Sequence, residues 1–116
     1  MREADFSRKV TKYLESIGAI VNNQTANIYS RVGVSDLLIC YKGRFIALEL
    51  KVGNYQPDPL QVRYLEKVRE AHGFGLLLRD TLDDLKTLVY CIDNGISSEY
   101  NQPELPKVNV EGIVFD

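Results

Sequence analysis

The sequence predicts an α/β fold in which a mixed central sheet is flanked by helices, with the elements in the order αβββαβα. Three patterns indicate this fold. Apolar residues recur at helical spacing in three segments, two neighbouring runs are apolar on both alternating faces, and a third such run follows the second helical segment. The chain has 116 residues, of which 45% are hydrophobic and 26% charged, so we expect one domain with one core over residues 1–116.

The first predicted helix covers residues 3–16, and Gly18 supplies its end. Glu3 lies in the first turn on the same face as the apolar residues, which predicts that it points toward the core. These apolar residues are Phe6, Val10, Tyr13, Leu14 and Ile17. Residues 19–22 then predict a short strand, and the polar residues 23–34 predict a loop or a frayed strand.

Residues 36–41 and 44–51 predict two strands that are covered on both sides. The short connection between them, Lys42 and Gly43, is typical of an antiparallel hairpin. If these two residues form the turn, Asp36 lies opposite Glu49 on the same face of the sheet, with their Cβ atoms about 4.5–5.5 Å apart. The hairpin therefore predicts two opposed carboxylates.

Lys51 follows Glu49 by two residues, so its amine lies on the same face as both acids. Like charges directly opposite each other destabilise a sheet unless something compensates for them. A hard divalent cation with oxygen ligands would do so, and Mg²⁺ binds through one or two carboxylates together with waters and phosphate oxygens. The cluster of Asp36, Glu49 and Lys51 therefore predicts a metal site.

The second half of the chain predicts a helix, a strand and a last helix. Asp58 is placed as the N-cap of the second helix and Pro59 as its first residue, and the helix is expected to extend to Gly73. Residues 74–79 predict the third apolar strand, and residues 81–84 resemble a capping arrangement for a helix that ends at Gly95. Residues 96–116 are a tail without an assigned element, in which 108–115 fit an edge strand or a cover for a hydrophobic surface.

Composition excludes several classes of protein. No apolar run reaches the roughly 18 residues of a membrane span, and the first residues lack the apolar segment of a secretory signal, so we expect a cytoplasmic protein. Cys40 and Cys91 are expected to be reduced core thiols and not a disulfide or zinc site. His72 is given no catalytic role. The net charge of -2 is compatible with binding DNA, because metal-holding carboxylates count as negative but face a substrate as a positive site.

These residues resemble a known family. Asp36 followed by Glu49-Leu50-Lys51, within the αβββαβα order, is similar to the PD-(D/E)xK nuclease superfamily and its restriction-endonuclease-like core. The narrower resemblance is to the virus-type replication-repair nuclease domain, VRR-NUC, and covers roughly the first two-thirds of the chain. It is carried by Glu3, the residues 33–36, the Glu-Leu-Lys strand end, and Pro59-Leu60-Gln61 at the start of the next helix. Ser35 departs from the family, which usually has a proline before the aspartate.

The resemblance implies roles for these residues. Asp36, Glu49, the backbone carbonyl of Leu50 and Glu3 would hold Mg²⁺, with Mn²⁺ able to substitute. Lys51 would orient the attacking water. Gln61, on the inward face of the second helix, would also belong to the site, although a polar residue at the core margin is an equally good interpretation.

Five further residues are candidates for contacts with DNA phosphates. Arg31 is the first choice because it lies in the loop that precedes Asp36. For each one alone, a solvated surface side chain is the simpler interpretation. The five are Tyr29, Arg31, Lys42, Arg44 and Arg63.

The resemblance implies a metal-dependent endonuclease that hydrolyses phosphodiester bonds in branched or Holliday-junction-like DNA, as in replication or repair. By analogy it acts as a homodimer, with the apolar tail as part of the interface. One alternative is a less selective nicking or end-processing nuclease. Another is a non-catalytic nucleic-acid-binding module on the same fold, against which the opposed acids argue.

Overall fold

The computed structural model describes residues 1–24 and 33–107, and it contains the helices and strands in the predicted order αβββαβα. The predictions for Tyr29, Arg31 and residues 108–115 fall outside this part of the chain. A short 3₁₀ helix, Ser97–Glu99, follows the last α-helix. The main elements are α1 (Glu3–Ser16), β1 (Ile20–Asn23), β2 (Leu37–Tyr41), β3 (Arg44–Lys51), α2 (Pro59–Glu70), β4 (Phe74–Arg79) and α3 (Asp83–Asp93).

The sheet is mixed, as predicted, and its strands lie in the order β1-β2-β3-β4. β1 pairs with β2, and β2 with β3, in the antiparallel direction, whereas β4 runs parallel to β3. The connection between the two parallel strands contains α2, which makes β3-α2-β4 a crossover unit. Because β3 and β4 are parallel, Lys51 and Arg79 lie side by side at the same edge of the sheet.

The hairpin of β2 and β3 has the predicted register, with Tyr41 paired to Arg44. Lys42 and Gly43 form the turn with φ angles of 47° and 78°. A two-residue turn with two positive φ angles matches the twist of the strands, and glycine adopts this conformation without steric cost. The turn therefore sets the alignment of every side chain along the hairpin.

Helices cover both faces of the sheet. α1 and α3 pack on one face, where Phe6 and Leu88 are fully buried with the even-numbered side chains of β3. α2 packs on the other face, where Leu65 and Val68 contact Ala47. From Ile46 to Leu50 both faces of β3 are thus buried, and this explains why four of these five residues are apolar.

α2 contacts β3 and β4, and of β2 only Leu38 packs against the cluster around Leu65, so among the described residues no helix covers the rest of this face. Ile20, Cys40 and Phe45 are neighbours in a row across this open part of the sheet, and we call them the apolar row. Ile20 is 72% exposed and Phe45 45% exposed. The prediction that Cys40 is a core thiol is wrong, because its side chain lies on this uncovered part of the sheet and is exposed.

Smaller differences from the predictions occur at the ends of elements. α2 ends at Glu70, three residues before Gly73, where the helix was expected to end. The N-cap of α3 is Leu82, which makes no side-chain capping hydrogen bond, and the hydroxyl of Thr81 instead accepts from the N–H of Asp83 at 3.2 Å. In residues 1–24 and 33–107, no helix is long and apolar enough to cross a membrane.

Candidate functional site

Three elements bring the predicted site residues to one edge of the sheet. Asp36 comes directly before β2, and Glu49 and Lys51 lie in the last three residues of β3. The observed pairing of Leu37 with Leu48 puts Asp36 next to Glu49. Glu3, the first residue of α1, approaches from the helix that covers the opposite face. The structure thus brings Glu3, Asp36, Glu49 and Lys51 together.

Asp36 is fixed by its neighbours on both sides. Its carboxylate accepts a hydrogen bond from the backbone N–H of Leu50 at 2.9 Å, and its own backbone carbonyl accepts from the N–H of Gln24 at 2.8 Å. In an antiparallel pair, the N–H and C=O of one residue point to the same side of its strand. The carbonyl of Leu50 is therefore directed to the side where Asp36 lies, as its predicted role as a ligand requires.

Glu49 is fully buried, and neither of its carboxyl oxygens has a hydrogen-bond partner in the described part of the chain. Burial raises the pKa of Glu49 from 4.5 to about 9, and the nearby charge of Asp36 contributes to the increase. Lys51 opposes this shift but does not cancel it. Without a bound cation, the carboxyl of Glu49 is therefore neutral at pH 7.

Lys51 lies between two acids. Its ammonium nitrogen is 3.6 Å from Oε1 of Glu49 and 3.8 Å from Oε1 of Glu3, and only 14% of its side chain is exposed. Glu3 is more exposed than the sequence suggested, at 45%, because it is the first residue of its helix and borders solvent. A positive charge is thus held at the edge of the sheet between acidic side chains.

A cavity of about 250 Å³ opens beside these residues. It is lined by Glu3, Ala4, Ser7, Asp36 and Leu50. Its volume gives a phosphate group room to approach Asp36. Sequence reasoning missed Ala4 and Ser7, although their spacing from Glu3 on the helix puts them beside it.

The donor set is suitable for a hard cation, although no three Asp, Glu, His or Cys side chains in residues 1–24 and 33–107 converge closely enough to form a complete metal centre. The two oxygens of Glu49 lack partners, and such buried polar atoms are costly unless something binds them. Carboxylate and carbonyl oxygens are the ligands that Mg²⁺ prefers. Asp36, Glu49, Glu3 and the Leu50 carbonyl thus have the ligand chemistry of a divalent ion, although their side chains do not converge on one point here.

Gln61 has a structural partner. Its side-chain oxygen accepts from the backbone N–H of Asp58 at 2.9 Å, and the carboxylate of Asp58 accepts from the N–H of Leu60 at 2.8 Å. This reciprocal arrangement is a capping box, which stabilises the start of α2. In this conformation the Gln61 side chain faces the helix end.

Two of the cations predicted to bind DNA, Lys42 and Arg44, lie apart from the acids of the site. Lys42 and Arg44 are at the turn of the hairpin, five residue steps or about 17 Å along the strand from Asp36. Lys42 forms an ion pair with Asp93 at 2.7 Å, and Arg63 forms one with Glu70 at 2.9 Å. The described cations among the five candidates thus already have contacts within the protein.

Sequence reasoning also missed two residues that brace the chain after Lys51. Arg79 donates to the backbone carbonyls of Gly53 and Tyr55, both at 2.7 Å. The carboxylate of Asp80 accepts from the N–H of Gly53 at 3.0 Å, and the N–H of Asp80 donates to the carbonyl of Lys51 at 3.1 Å. The parallel pairing of β3 with β4 would have indicated these two residues, because it brings the carboxyl ends of both strands together.

Ser35 was noted only as a departure from the usual proline. It is fully buried, and its hydroxyl has no hydrogen-bond partner among the described residues. It lies directly before Asp36 at the start of β2. The site thus includes a second buried polar group without a partner, in addition to Glu49.

Comparison with known proteins is informative at the level of structure. No protein-family model matches the sequence, and no curated protein matches it. A solved structure described as a VRR_NUC domain aligns with this chain with a TM-score of 0.60 and 23% sequence identity, covering 76% of this chain and 94% of the other. The predicted resemblance is confirmed in the architecture: this chain has the fold of a VRR-NUC domain, a mixed four-stranded sheet flanked by helices.

Proposed function

We propose that the protein is a metal-dependent DNA endonuclease that hydrolyses phosphodiester bonds. The observation that carries the proposal is Glu49, a fully buried acid without a hydrogen-bond partner among the described residues, placed beside Asp36 and Lys51. A folded protein gains nothing in stability from such a group, so its presence indicates a functional site. The fold shared with a VRR_NUC domain supports the same chemistry.

The proposed ligands of Mg²⁺ are Asp36, Glu49, Glu3 and the carbonyl of Leu50. When bound, a divalent ion supplies a water of lowered pKa and neutralises charge that develops on the phosphate. Mn²⁺ has similar preferences for oxygen ligands and is expected to substitute. Glu49 must lose its proton to act as a ligand, and a cation next to its oxygens favours that loss.

The side chains have distinct tasks in this proposal. Asp36 is held by the N–H of Leu50, which restrains its carboxylate beside the cavity that it lines. Lys51 is restrained by Glu3 and Glu49, and its ammonium can donate a hydrogen bond to the attacking water or to a phosphate oxygen. A fixed cation at this position stabilises negative charge in the transition state more than in the substrate.

The proposed substrate is branched DNA, including Holliday-junction-like DNA. Cutting both strands of such a substrate requires two active sites, so the protein is proposed to act as a homodimer. The exposed apolar row of Ile20, Cys40 and Phe45 supports this proposal, and we propose it as the surface on which two subunits pair. The tail that was expected to contribute to the interface covers residues 96–116, and residues 108–116 of it fall outside the described part of the chain.

A cleavage assay tests the proposal. Labelled four-way junction, flap, single-stranded and duplex DNA are incubated with protein and Mg²⁺, Mn²⁺ or chelator. Wild-type protein is expected to cut branched DNA only with metal, and Asp36→Ala and Lys51→Ala should each lower the rate by about 100-fold or more. Circular dichroism of each variant verifies that the fold is retained.

A matched pair of variants on α1 provides the control. Glu3→Ala removes an acid near Lys51, whereas Glu15→Ala removes an exposed acid at the other end of the same helix. We expect the first to slow cleavage and the second to leave it unchanged. Retained binding of DNA without any cleavage by the wild type would instead indicate a non-catalytic binding module, and equal cutting of every substrate would indicate an end-processing nuclease.

A further inference from the structure

Tyr55 is an exposed aromatic residue in the loop that directly follows Lys51. Its side chain is 70% exposed. A single exposed aromatic is ordinary on a protein surface. Tyr55 differs because its loop is attached to the same strand end as the proposed site.

The distance between Tyr55 and the site is limited by a turn. The N–H of Tyr55 donates to the carbonyl of Val52 at 3.3 Å, which closes a four-residue turn. The ends of such a turn are less than about 7 Å apart at Cα, and consecutive Cα atoms are about 3.8 Å apart. The Cα of Tyr55 therefore lies within about 11 Å of the Cα of Lys51.

The loop is also fixed from the side of β4. Arg79 donates to the carbonyls of Gly53 and Tyr55, and Asp80 accepts from the N–H of Gly53. The positive φ of 57° at Gly53 is suited to glycine and allows the sharp turn. An aromatic side chain presented by a braced backbone loses little conformational entropy when it binds a ligand.

From this arrangement we propose that Tyr55 stacks on an unpaired nucleobase beside the scissile phosphate. The inference rests on the proposed nuclease function and defines its substrate more closely. Successive bases of a stacked strand are about 3.4 Å apart, so the limit of about 11 Å covers roughly three nucleotides. The faces of bases inside a continuous duplex are already stacked, whereas an unpaired base at a flap or junction offers a free face to Tyr55.

Binding measurements in chelator separate this role from cleavage. Fluorescence anisotropy is measured with a labelled flap DNA and with a fully paired duplex of the same sequence. Tyr55→Ala should weaken binding of the flap by about 5- to 100-fold and leave duplex binding unchanged, since stacking contributes on this scale for each base. Tyr55→Phe keeps the ring and should bind like the wild type.

Tyr90 provides the matched control, because it is also an exposed tyrosine, at 62%, but lies on α3, close to the turn end of the hairpin. Tyr90→Ala is expected to bind both DNAs like the wild type. A second readout uses 2-aminopurine at each of the three unpaired positions nearest the branch. Its fluorescence should change when wild-type protein or Tyr55→Phe binds, but not when Tyr55→Ala binds.

The outcomes distinguish this inference from the proposed function. If wild-type protein cuts DNA with metal while Tyr55→Ala binds flap and duplex like the wild type, the stacking role is overturned and the nuclease function stands. An equal loss for flap and duplex, or a failure of Tyr55→Phe to restore binding, also overturns stacking. If Tyr55 is required for binding the flap but no substrate is cut, the nuclease function fails and the stacking role survives.

Discussion

At the scale of single residues, Glu49 is the most informative side chain. A buried carboxyl without a partner costs free energy in the folded state, and Asp36 beside it adds to the cost. The folded protein lowers that cost by keeping Glu49 protonated. A bound cation would instead stabilise the ionised form, so metal affinity and proton affinity compete at the same two oxygens.

This competition predicts the pH dependence of stability without metal. The pKa of Glu49 is 4.5 in an unfolded chain and about 9 in the folded protein. Between these values the folded state binds a proton that the unfolded state releases, so this contribution is complete below pH 4.5 and is lost as the pH rises toward 9. Glu49→Gln removes the titration, and the variant should gain at least about 1.4 kcal/mol relative to wild type between pH 5 and pH 9.

Urea unfolding in chelator at pH 5, 7 and 9 measures this difference. Mg²⁺ or Mn²⁺ at pH 8 should raise the midpoint of thermal unfolding of the wild type more than that of Glu49→Gln, since a ligand stabilises only the form that binds it. A stability difference between variant and wild type that stays constant with pH would show that Glu49 is ionised in the folded protein.

The sequence was sufficient to predict the site residues whose relative positions follow from counting along the hairpin. Asp36, Glu49 and Lys51 share a face because strand side chains alternate and the turn has two residues. Arg79 and Asp80 could be found only by knowing that β4 pairs with β3, and Gln61 required the competing capping interaction with Asp58. The spacing of residues on one face of a helix or strand shows neither which strands pair nor which hydrogen bond a polar side chain makes.

At the scale of elements, the contact between α2 and β4 depends on Gly75. A Cβ added at this residue would lie 2.6 Å from the carbonyl oxygen of Leu65 and 3.1 Å from its Cα. These are backbone atoms of the helix, so they cannot move away as a flexible side chain can. Gly75 thus allows α2 to pack directly on the strand that runs parallel to the one carrying Glu49 and Lys51.

Gly75→Ala is therefore expected to lower the free energy of unfolding by about 2 kcal/mol or more. Chemical denaturation followed by circular dichroism measures the change. Gly43→Asn serves as the comparison, because no atom lies within 4 Å of its added Cβ and asparagine tolerates a positive φ. Equal stability of the two variants would contradict the close approach of α2 to β4.

The order and type of elements were predictable because each has a clear period and a clear stop signal. The residues at which the helices begin and end were harder to predict. α2 finishes at Glu70, and the cap expected from residues 81–84 is replaced by a single bond from the N–H of Asp83 to the hydroxyl of Thr81. Several nearby polar groups can form a hydrogen bond with the free backbone groups at a helix end. Sequence alone does not show which of these bonds is the most stable.

At the scale of the whole molecule, the sheet is covered unequally. α2 shields β3 and β4, and the apolar row of Ile20, Cys40 and Phe45 stays exposed on the same face. The sequence predicted strands apolar on both faces but not which part of the sheet a helix would reach. That depends on the width of the sheet relative to one helix, which only the assembled fold defines.

Phe45→Glu tests whether the apolar row pairs two subunits. A charged side chain in the middle of an apolar contact would have to lose its hydration, so we expect the variant to be monomeric where the wild type is dimeric. Light scattering after size-exclusion chromatography measures the mass. Tyr90→Glu, on the surface of α3, should leave the dimer intact, and a dimeric Phe45→Glu would move the interface elsewhere.

The turn of Lys42 and Gly43 has an effect far beyond its size. It lies about 17 Å along the strand from Asp36 and Glu49, yet its length decides which side chains meet at the other end of the hairpin. One added residue there would shift the pairing by a step and turn the carboxyl of residue 36 toward the opposite layer of helices. The set of side chains in the site at one end of the hairpin is thus specified by the length of the turn at the other end.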